Sequence, residues 1–546
     1  MLNVTIKPVR LLLLFILLAF VLPIEAETRK EVKYFDIWEY QILGNSLLKK
    51  ETIESALFPY LGVQKSLKTV EQARDYLQNL YKMNGYPIVV VSIPQQNVIG
   101  GKVKLQVTEG KIDRLKISGN EYFSRRELRD EVPSLSAGAP LNMDIVREEV
   151  DLANKANPYR TVVPVIRPGR KRGTMEMELK VRDRLPVNAS LETNNRYSAS
   201  TSETRVSASV GYDHLWQKHH SVSFGYQMTP EVDDEISVVN ANYSFPATDF
   251  TKLVFYGVDS NSRVATVTGQ GDNLAVLGNG QVFGFRSITS MPSYGQYFHS
   301  LSVGIDYKDF GETQELSSAE DAEQQEGQET VPFTVPISYG AWSISYNGGW
   351  KDLSLTLFSL DANFGLRGLN KQSEFEFKRF LAKANYFYLS ARFSQSWNLG
   401  SGFGWEYDFS GQYTESPLIS NEQSIAGGVD TVRGYLESTA VGDNSMLGST
   451  ALTYTPLSEK KNIYMQNLRF SLFVDAAKLR VLDPLPNAEG EFDTGTSLLG
   501  AGIGVEFKAF KYLDATMFYA EPLEKLDDED FEDEGRVHFS LAYRFR

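Results

Sequence analysis

The sequence predicts an all-β transmembrane barrel of about 16 antiparallel strands, preceded by two small α+β modules of β-α-α-β-β order. Three observations carry this. An export signal is followed by no apolar run long enough to cross a membrane as a helix. One helix-and-strand plan occurs twice in succession. From residue 186 onward, helical periodicity gives way to apolar–polar alternation. Composition agrees. The absence of cysteine excludes a disulfide scaffold and thiolate metal sites. A formal net charge of −14 removes the electrostatic case for nucleic acid. Mean hydropathy is −0.28, which suits a barrel better than a helical membrane protein, because only alternate barrel residues meet lipid.

Lys7 and Arg10 give the N-terminus its positive start, and Leu11 to Leu22 is apolar throughout. Pro23 and Ala26 suit a cleavage region, so residues 1–26 read as a signal peptide cut after Ala26. A spanning helix would need about 20 apolar residues. Residues 27–32 leave no room for a plug helix before the first module.

The first module is expected over residues 33–110. Phe35 to Tyr40 alternates as a strand, and Ile53, Ala56 and Leu57 share a helical face that Pro59 ends. Thr69 and Gln72 suggest a capping box for a second helix, whose stripe is Val70, Ala73, Leu77 and Leu80. Asn84-Gly85 closes it. Strands follow at Pro87 to Ile93 and around Val103, Leu105 and Val107. The second module, 111–185, repeats the order. Leu115 to Ile117 is a strand, Ser124 and Glu127 form a capping box, and Met143, Val146, Val150 and Ala153 share a face. Val162 to Ile166 and Met175 to Val181 are strands.

Alternation then takes over. Val206, Ala208, Val210 and Tyr212 share one face, as do Val222, Phe224, Tyr226 and Met228. Phe403, Trp405, Tyr407, Phe409 and Tyr413 alternate with polar residues, and the chain finishes on Val537, Phe539, Leu541, Tyr543 and Phe545. A soluble sandwich would show the same pattern, but this block is too long for a single one. At roughly 22 residues per strand and connection it holds about 16 strands, the even number expected of a closed barrel. Two acidic runs, Ser317 to Thr330 and Glu524 to Gly535, read as solvated loops.

Gly427-Gly428-Val429-Asp430-Thr431-Val432-Arg433-Gly434-Tyr435 interrupts the strands. Glycines shape a turn that holds one arginine, whose guanidinium needs a carboxylate. Downstream, Leu472 and Val474 point one way and Ser471, Phe473 and Asp475 the other. If the apolar set faces lipid, Asp475 faces the lumen, where an ion pair with Arg433 is expected. The histidines His214, His219, His220, His299 and His538 have no metal-ligand spacing. Nucleophile and phosphate-loop motifs are absent too, so no catalytic, cofactor or metal site is expected.

Gly85-Tyr86-Pro87, Pro94-Gln95-Gln96, Gly101-Lys102-Val103 and Val107-Thr108-Glu109-Gly110-Lys111-Ile112 resemble the first periplasmic POTRA module of the haemolysin secretion/activation family. Asn157-Pro158, Arg167-Pro168-Gly169 and Arg182-Asp183-Arg184-Leu185-Pro186 resemble its second. These are the outer-membrane transporters of two-partner secretion. The resemblance implies POTRA domains in the periplasm and a barrel over 186–546 in the outer-membrane bilayer. It also implies a lid loop around 426–445, carrying Val432, Arg433, Gly434 and Tyr435, folded inward with Arg433 on Asp475. The implied partner is a β-rich exoprotein, bound unfolded by the POTRA domains and passed to the cell surface by a monomeric translocator. The rivals are an insertase of the same superfamily and a passive porin. Ala477 stands where the family often has glycine, so packing of loop on wall is expected to differ.

Overall fold

Two compact units divide the chain, residues 1–184 and 185–546. The computed structural model describes residues 33–546 apart from 172, 200, 233–234, 263–265, 268–275, 278, 315–332, 353, 457–464, 487–491, 493, 511, 527–533 and 546. The signal peptide, residues 27–32, the first acidic run and Asp527 to Asp530 of the second lie outside the described residues.

The first unit holds the two modules. In the first, β1 (Tyr34–Ile37), β2 (Glu39–Leu43), α1 (Lys50–Leu57), β3 (Gly62–Ser66), α2 (Leu67–Met83), β4 (Val90–Ser92) and β5 (Lys102–Thr108) follow in order. The expected strand at Phe35 to Tyr40 is two strands broken at Trp38, whose N–H bonds Gly101 O at 2.8 Å. β1 pairs with β3, a strand between the helices that departs from the expected β-α-α-β-β order. A short polar run leaves no alternation to read, because its pairing is set by a distant strand. β2 lies parallel to β5 and β4 antiparallel to it. Helix α2 starts at Leu67 with Ser66 as N-cap, so Thr69 sits inside the first turn rather than capping it. Ile37, Leu57, Val70, Leu77, Tyr81 and Leu105 close the core.

The second module runs β6 (Lys111–Ser118), α3 (Arg125–Asp130), α4 (Met143–Ala156), β7 (Arg160–Pro168) and β8 (Thr174–Asp183). Its sheet order, β6-β8-β7 with β6 parallel to β8, repeats that of β2-β5-β4. Ser124 caps α3 by accepting from Glu127 N at 3.2 Å.

The second unit is a closed barrel of 16 antiparallel strands. They are β9 (Val187–Asn194), β10 (Arg205–Leu215), β11 (His220–Met228), β12 (Ile236–Pro246), β13 (Thr251–Ser262), β14 (Gly280–Ser290), β15 (Tyr297–Gln314) and β16 (Phe333–Lys351). Then come β17 (Ser354–Gly365), β18 (Phe387–Gly400), β19 (Phe403–Thr414), β20 (Asn444–Tyr454), β21 (Met465–Arg480), β22 (Ser497–Ala509), β23 (Leu513–Pro522) and β24 (Arg536–Phe545). Closure leaves no unpaired strand edge, the condition for crossing hydrocarbon with strands. Val210, Phe224, Phe255, Phe409, Leu472 and Phe539 stay exposed because they are the lipid face. At the proximal end, where β9 begins, Tyr297–Trp350 and Trp397–Trp405 ring contacts of 4.8 and 5.3 Å belong to an interfacial girdle. Described turns there are short, such as 401–402 and 247–250. Longer connections lie at the distal end, among them α5 (Gln372–Lys378) between β17 and β18, and residues 415–443 between β19 and β20. β24 closes on β9 from Ser540↔Asn194 to Phe545↔Ala189. Asn195 extends that seam, accepting from Phe539 N at 2.8 Å and donating to Val537 O at 2.7 Å.

Candidate functional site: the lid loop in the lumen

The 415–443 loop leaves the distal end of β19, folds into the barrel and returns to β20. Its base is a small hairpin in which Ser424–Ala426 pairs with Ala440–Gly442. Beyond it, Gly427 (φ +108°), Gly428 (+97°) and Gly434 (+102°) hold angles closed to most side chains. They turn the chain so that residues 429–437 form a tip against the wall of β20 to β24.

Arg433 and Asp475 are in contact. Nε donates to Oδ2 at 2.6 Å and Nη2 to Oδ1 at 2.7 Å, the bidentate fork that suits guanidinium and carboxylate. The Arg433 backbone N–H also donates to Oδ2 at 3.1 Å. Ser449 on β20 donates to Oδ1 at 2.7 Å, so four donors converge on a carboxylate that is 1% exposed. The guanidinium carbon lies 3.3 Å from the Phe473 ring centroid and 5.1 Å from that of Phe518. A cation over an aromatic face in a desolvated site is worth about 2 kcal/mol.

The other three motif residues pack. Val432 is fully buried with Tyr435, Ala426, Ala440, Ala477, Leu479 and Leu498. Ala477 thus lends its methyl to the floor beneath the tip. Tyr435 OH donates to Glu524 O at 2.6 Å or Leu499 O at 3.0 Å. Gly434 N donates to His538 Nε2 on β24 at 3.2 Å. The sequence held a readable sign of this seat that alternation alone hides. Gly500, Gly502 and Gly504 share the inward face of β22, and a Cβ on Gly500 would run into the Arg433 carbonyl oxygen. Those glycines lower the wall so that the tip backbone, Phe473 and Phe518 fit.

Two further carboxylates hold the loop's root. Glu422 accepts from Lys308 Nζ at 2.6 Å, Tyr339 OH at 2.5 Å and Tyr388 OH at 2.9 Å, on β15, β16 and β18. Asp443 is wholly buried. It accepts from Arg379 at 2.5 and 2.7 Å, Leu418 N at 2.9 Å, Gln423 Nε2 at 3.2 Å and Leu482 N at 2.7 Å. Sequence reasoning places Asp443 within the lid loop expected around 426–445 and gives it no partner. Partners so distant in sequence leave no local pattern.

The first module matches the model for "POTRA domain, ShlB-type" over residues 35–110. Residues 359–507, which carry the lid loop and Asp475, match "Haemolysin secretion/activation protein ShlB/FhaC/HecB". Heme/hemopexin transporter protein HuxB of Haemophilus influenzae is 20% identical over 524 residues, 93% of this chain and 87% of that one. Outer membrane transporter CdiB of Dickeya dadantii is 21% identical over 522 residues, 88% of this chain and 82% of that one. Among solved structures, CdiB from Escherichia coli superposes with a TM-score of 0.59 at 16% identity, over 95% of this chain and 92% of that one. BamA from Haemophilus ducreyi lacking POTRA domains 1–3 gives 0.56 at 15% identity, over 94% and 100%. The first module and the lid-bearing strands thus match models of the haemolysin secretion/activation family, and relatives named as transporters run along almost the full length of this chain.

Proposed function

We propose that this chain carries an unfolded exported protein from the periplasm through its barrel to the cell surface, and that the lid tip gates the passage. The observation that carries the reading is a loop rooted at the distal rim whose tip is latched inside the lumen by Arg433 on Asp475. A lid tip held by two separate ion pairs, Arg433–Asp475 and Arg196–Asp430, has a low-energy alternative once a passing chain displaces it, which a porin would not need. The client is a β-rich exoprotein. No nucleotide or metal enters the reading, and no catalysis. Folding of the client outside supplies the direction. The relatives named HuxB and CdiB are transporters, and their cargo does not identify this one's.

The POTRA domains bind the client. In the first, β2 and β4 are the outer strands of the three-stranded sheet, and an extended segment bonds such an edge through its main chain. One copy of the chain suffices, because the barrel closes on itself.

The test measures export of the partner exoprotein by Arg433→Ala and Asp475→Ala at normal membrane levels. Both are expected to lower export at least tenfold, because the pair positions the lid loop in its secretion-competent state and a loop merely freed from its seat does not. Undiminished export in both would remove the lid from the mechanism. Client binding that survives deletion of residues 33–109 would reduce the first module to a spacer.

A further inference from the structure

The lumen has two unlike walls. On β21 to β24 the inward residues carry charge and pair it. Arg469 pairs with Glu406 across the lumen face and lies 3.8 Å from Glu506. Asp514 pairs with Arg544 at 2.9 Å and Lys508 at 3.2 Å. On β10 to β12 two central inward rows are short and uncharged, with Arg205 and Asp213 at the two ends of β10 and buried Ile236 and Val238 at the start of β12. Val210, Phe224, Tyr226 and Val239 are exposed on the lipid side, so their alternates face inward. Register then sets Ser209, Gly225 and Asn240 in one row across three strands, and Gly211, Ser223 and Asn242 in the next. Gly225 leaves room for the Asn240 amide, and a Cβ there would meet it at 2.6 Å. Glu192, Arg205 and Asp213 stand outside these two rows.

We infer that this hydroxyl-and-amide face of β10 to β12 is the track along which an extended, unfolded polypeptide passes. The inference rests on the secretion reading above. A moving chain presents main-chain N–H and C=O groups at every residue, and its side chains vary. Serine and asparagine both donate and accept, so they bond either main-chain group whatever the sequence. A charged wall would hold residues of opposite sign and repel those of like sign. Two glycines keep the surface low, so side chains of any size clear it. The lid tip sits on the charged wall of β20 to β24 and reaches the β9–β10 connection, where Asp430 pairs with Arg196 at 2.5 Å; its displacement frees the lumen in front of this face.

The chain has no cysteine, so single thiols can be placed at will. Ser223→Cys and Asn242→Cys mark the track. Ser410→Cys and Thr516→Cys mark inward positions on β19 and β23. The full chain in liposomes is treated with an uncharged 30-residue Gly-Ser-Asn peptide bearing one activated cysteine. Each rate is divided by that of a small cationic thiol reagent, which corrects for simple exposure. The track positions are expected to capture the peptide at least tenfold faster than the other two. Equal ratios, faster capture opposite the track, or no capture anywhere would overturn the track. Export by the wild-type chain is scored separately in cells, so an exporting chain whose track thiols fail to react sinks the track alone. Asn242→Lys gives a second reading: a peptide carrying four aspartates should dwell near residue 242 at least tenfold longer, and an unchanged dwell would count against it.

Discussion

The root and the tip of the lid loop are held by opposite means. At the root, Asp443 gathers Arg379, Leu418, Gln423 and Leu482, which belong to three different distal connections. Glu422 adds three strands of the wall. Nothing there can move without stranding several buried partners at once. At the tip, Arg433 meets Asp475 on an aromatic floor with glycines on both sides, and Asp430 makes a separate pair with Arg196. Separate pairs release one at a time, whereas shared ones lock. The difference teaches that the loop is two devices in sequence, a fixed collar and a releasable latch. On the proposed gating, opening displaces residues 427–439 and leaves the hairpin below them in place.

The strongest way to break that contrast is Asp443→Ala. It leaves the Arg379 guanidinium and two backbone N–H groups without their buried acceptor, a loss of about 3–5 kcal/mol. The expected result is a barrel that unfolds at lower urea concentration and reaches the membrane in reduced amount. A variant that folds at the wild-type midpoint while failing to export would make the root a second latch and erase the distinction. Asp475→Ala comes next. The freed Arg433 keeps Phe473 beneath it and some access to water, so the stability loss is smaller, about 1–3 kcal/mol. Open-channel events in planar bilayers should rise severalfold. Arg433→Lys should restore only part of the closure, since an ammonium cannot form the two-pronged contact.

Gly500→Ala sharpens the contrast from the wall side. It removes no bond, yet its methyl would occupy the place of the Arg433 carbonyl oxygen. The tip is expected to be pushed off its seat, with a twofold to fivefold rise in open events and an unchanged unfolding midpoint. A fall in midpoint as large as that of Asp443→Ala would show that tip and root are one structure. Tyr435→Phe should do less, removing the bond donated to Glu524 O and the one accepted from Leu499 N, worth about 1 kcal/mol each.

The barrel was legible because its signal is local. Val206, Ala208 and Val210 announce their face with no knowledge of any partner, and length alone counts the strands. Arg433 was legible for a related reason: glycines on either side mark a shaped turn, and Asp475 breaks the pattern of its own strand's lumenal face. Asp443 and Glu422 look like any loop carboxylates, because what distinguishes them arrives from Arg379 and Lys308 through folding. The strand at Gly62–Ser66 escaped for the same reason, since its pairing with Tyr34–Ile37 is decided by a contact that local alternation does not record. Alignment of helix α2 slipped by a few residues because Ser66 and Thr69 are equally good caps by type, and the end of β3 decides between them. The glycines of β22 were visible but have meaning only beside the tip that rests on them.

The smallest expected effect concerns Glu437, which lies in the tip outside the spanning strands. Burial pushes its carboxyl up to about 7; Arg196 nearby pulls it down, and Asp430 pushes it up. Val429 N donates to Oε1 at 3.2 Å. A carboxyl raised above its ordinary value near 4 favours the latched tip in its neutral form. That contribution is complete at acid pH, below the ordinary value, and is lost as pH rises through about 7. Open-channel events should therefore be more frequent at pH 8 than at pH 5.5, and Glu437→Gln should flatten the slope at the acid-side level. The root, whose carboxylates are gathered among fixed donors, gives the comparison its control: Asp443→Asn should shift the unfolding midpoint while leaving the pH slope of opening as it was. A slope that survives in Glu437→Gln, or one that vanishes in Asp443→Asn, would place the titration in the collar instead of the latch.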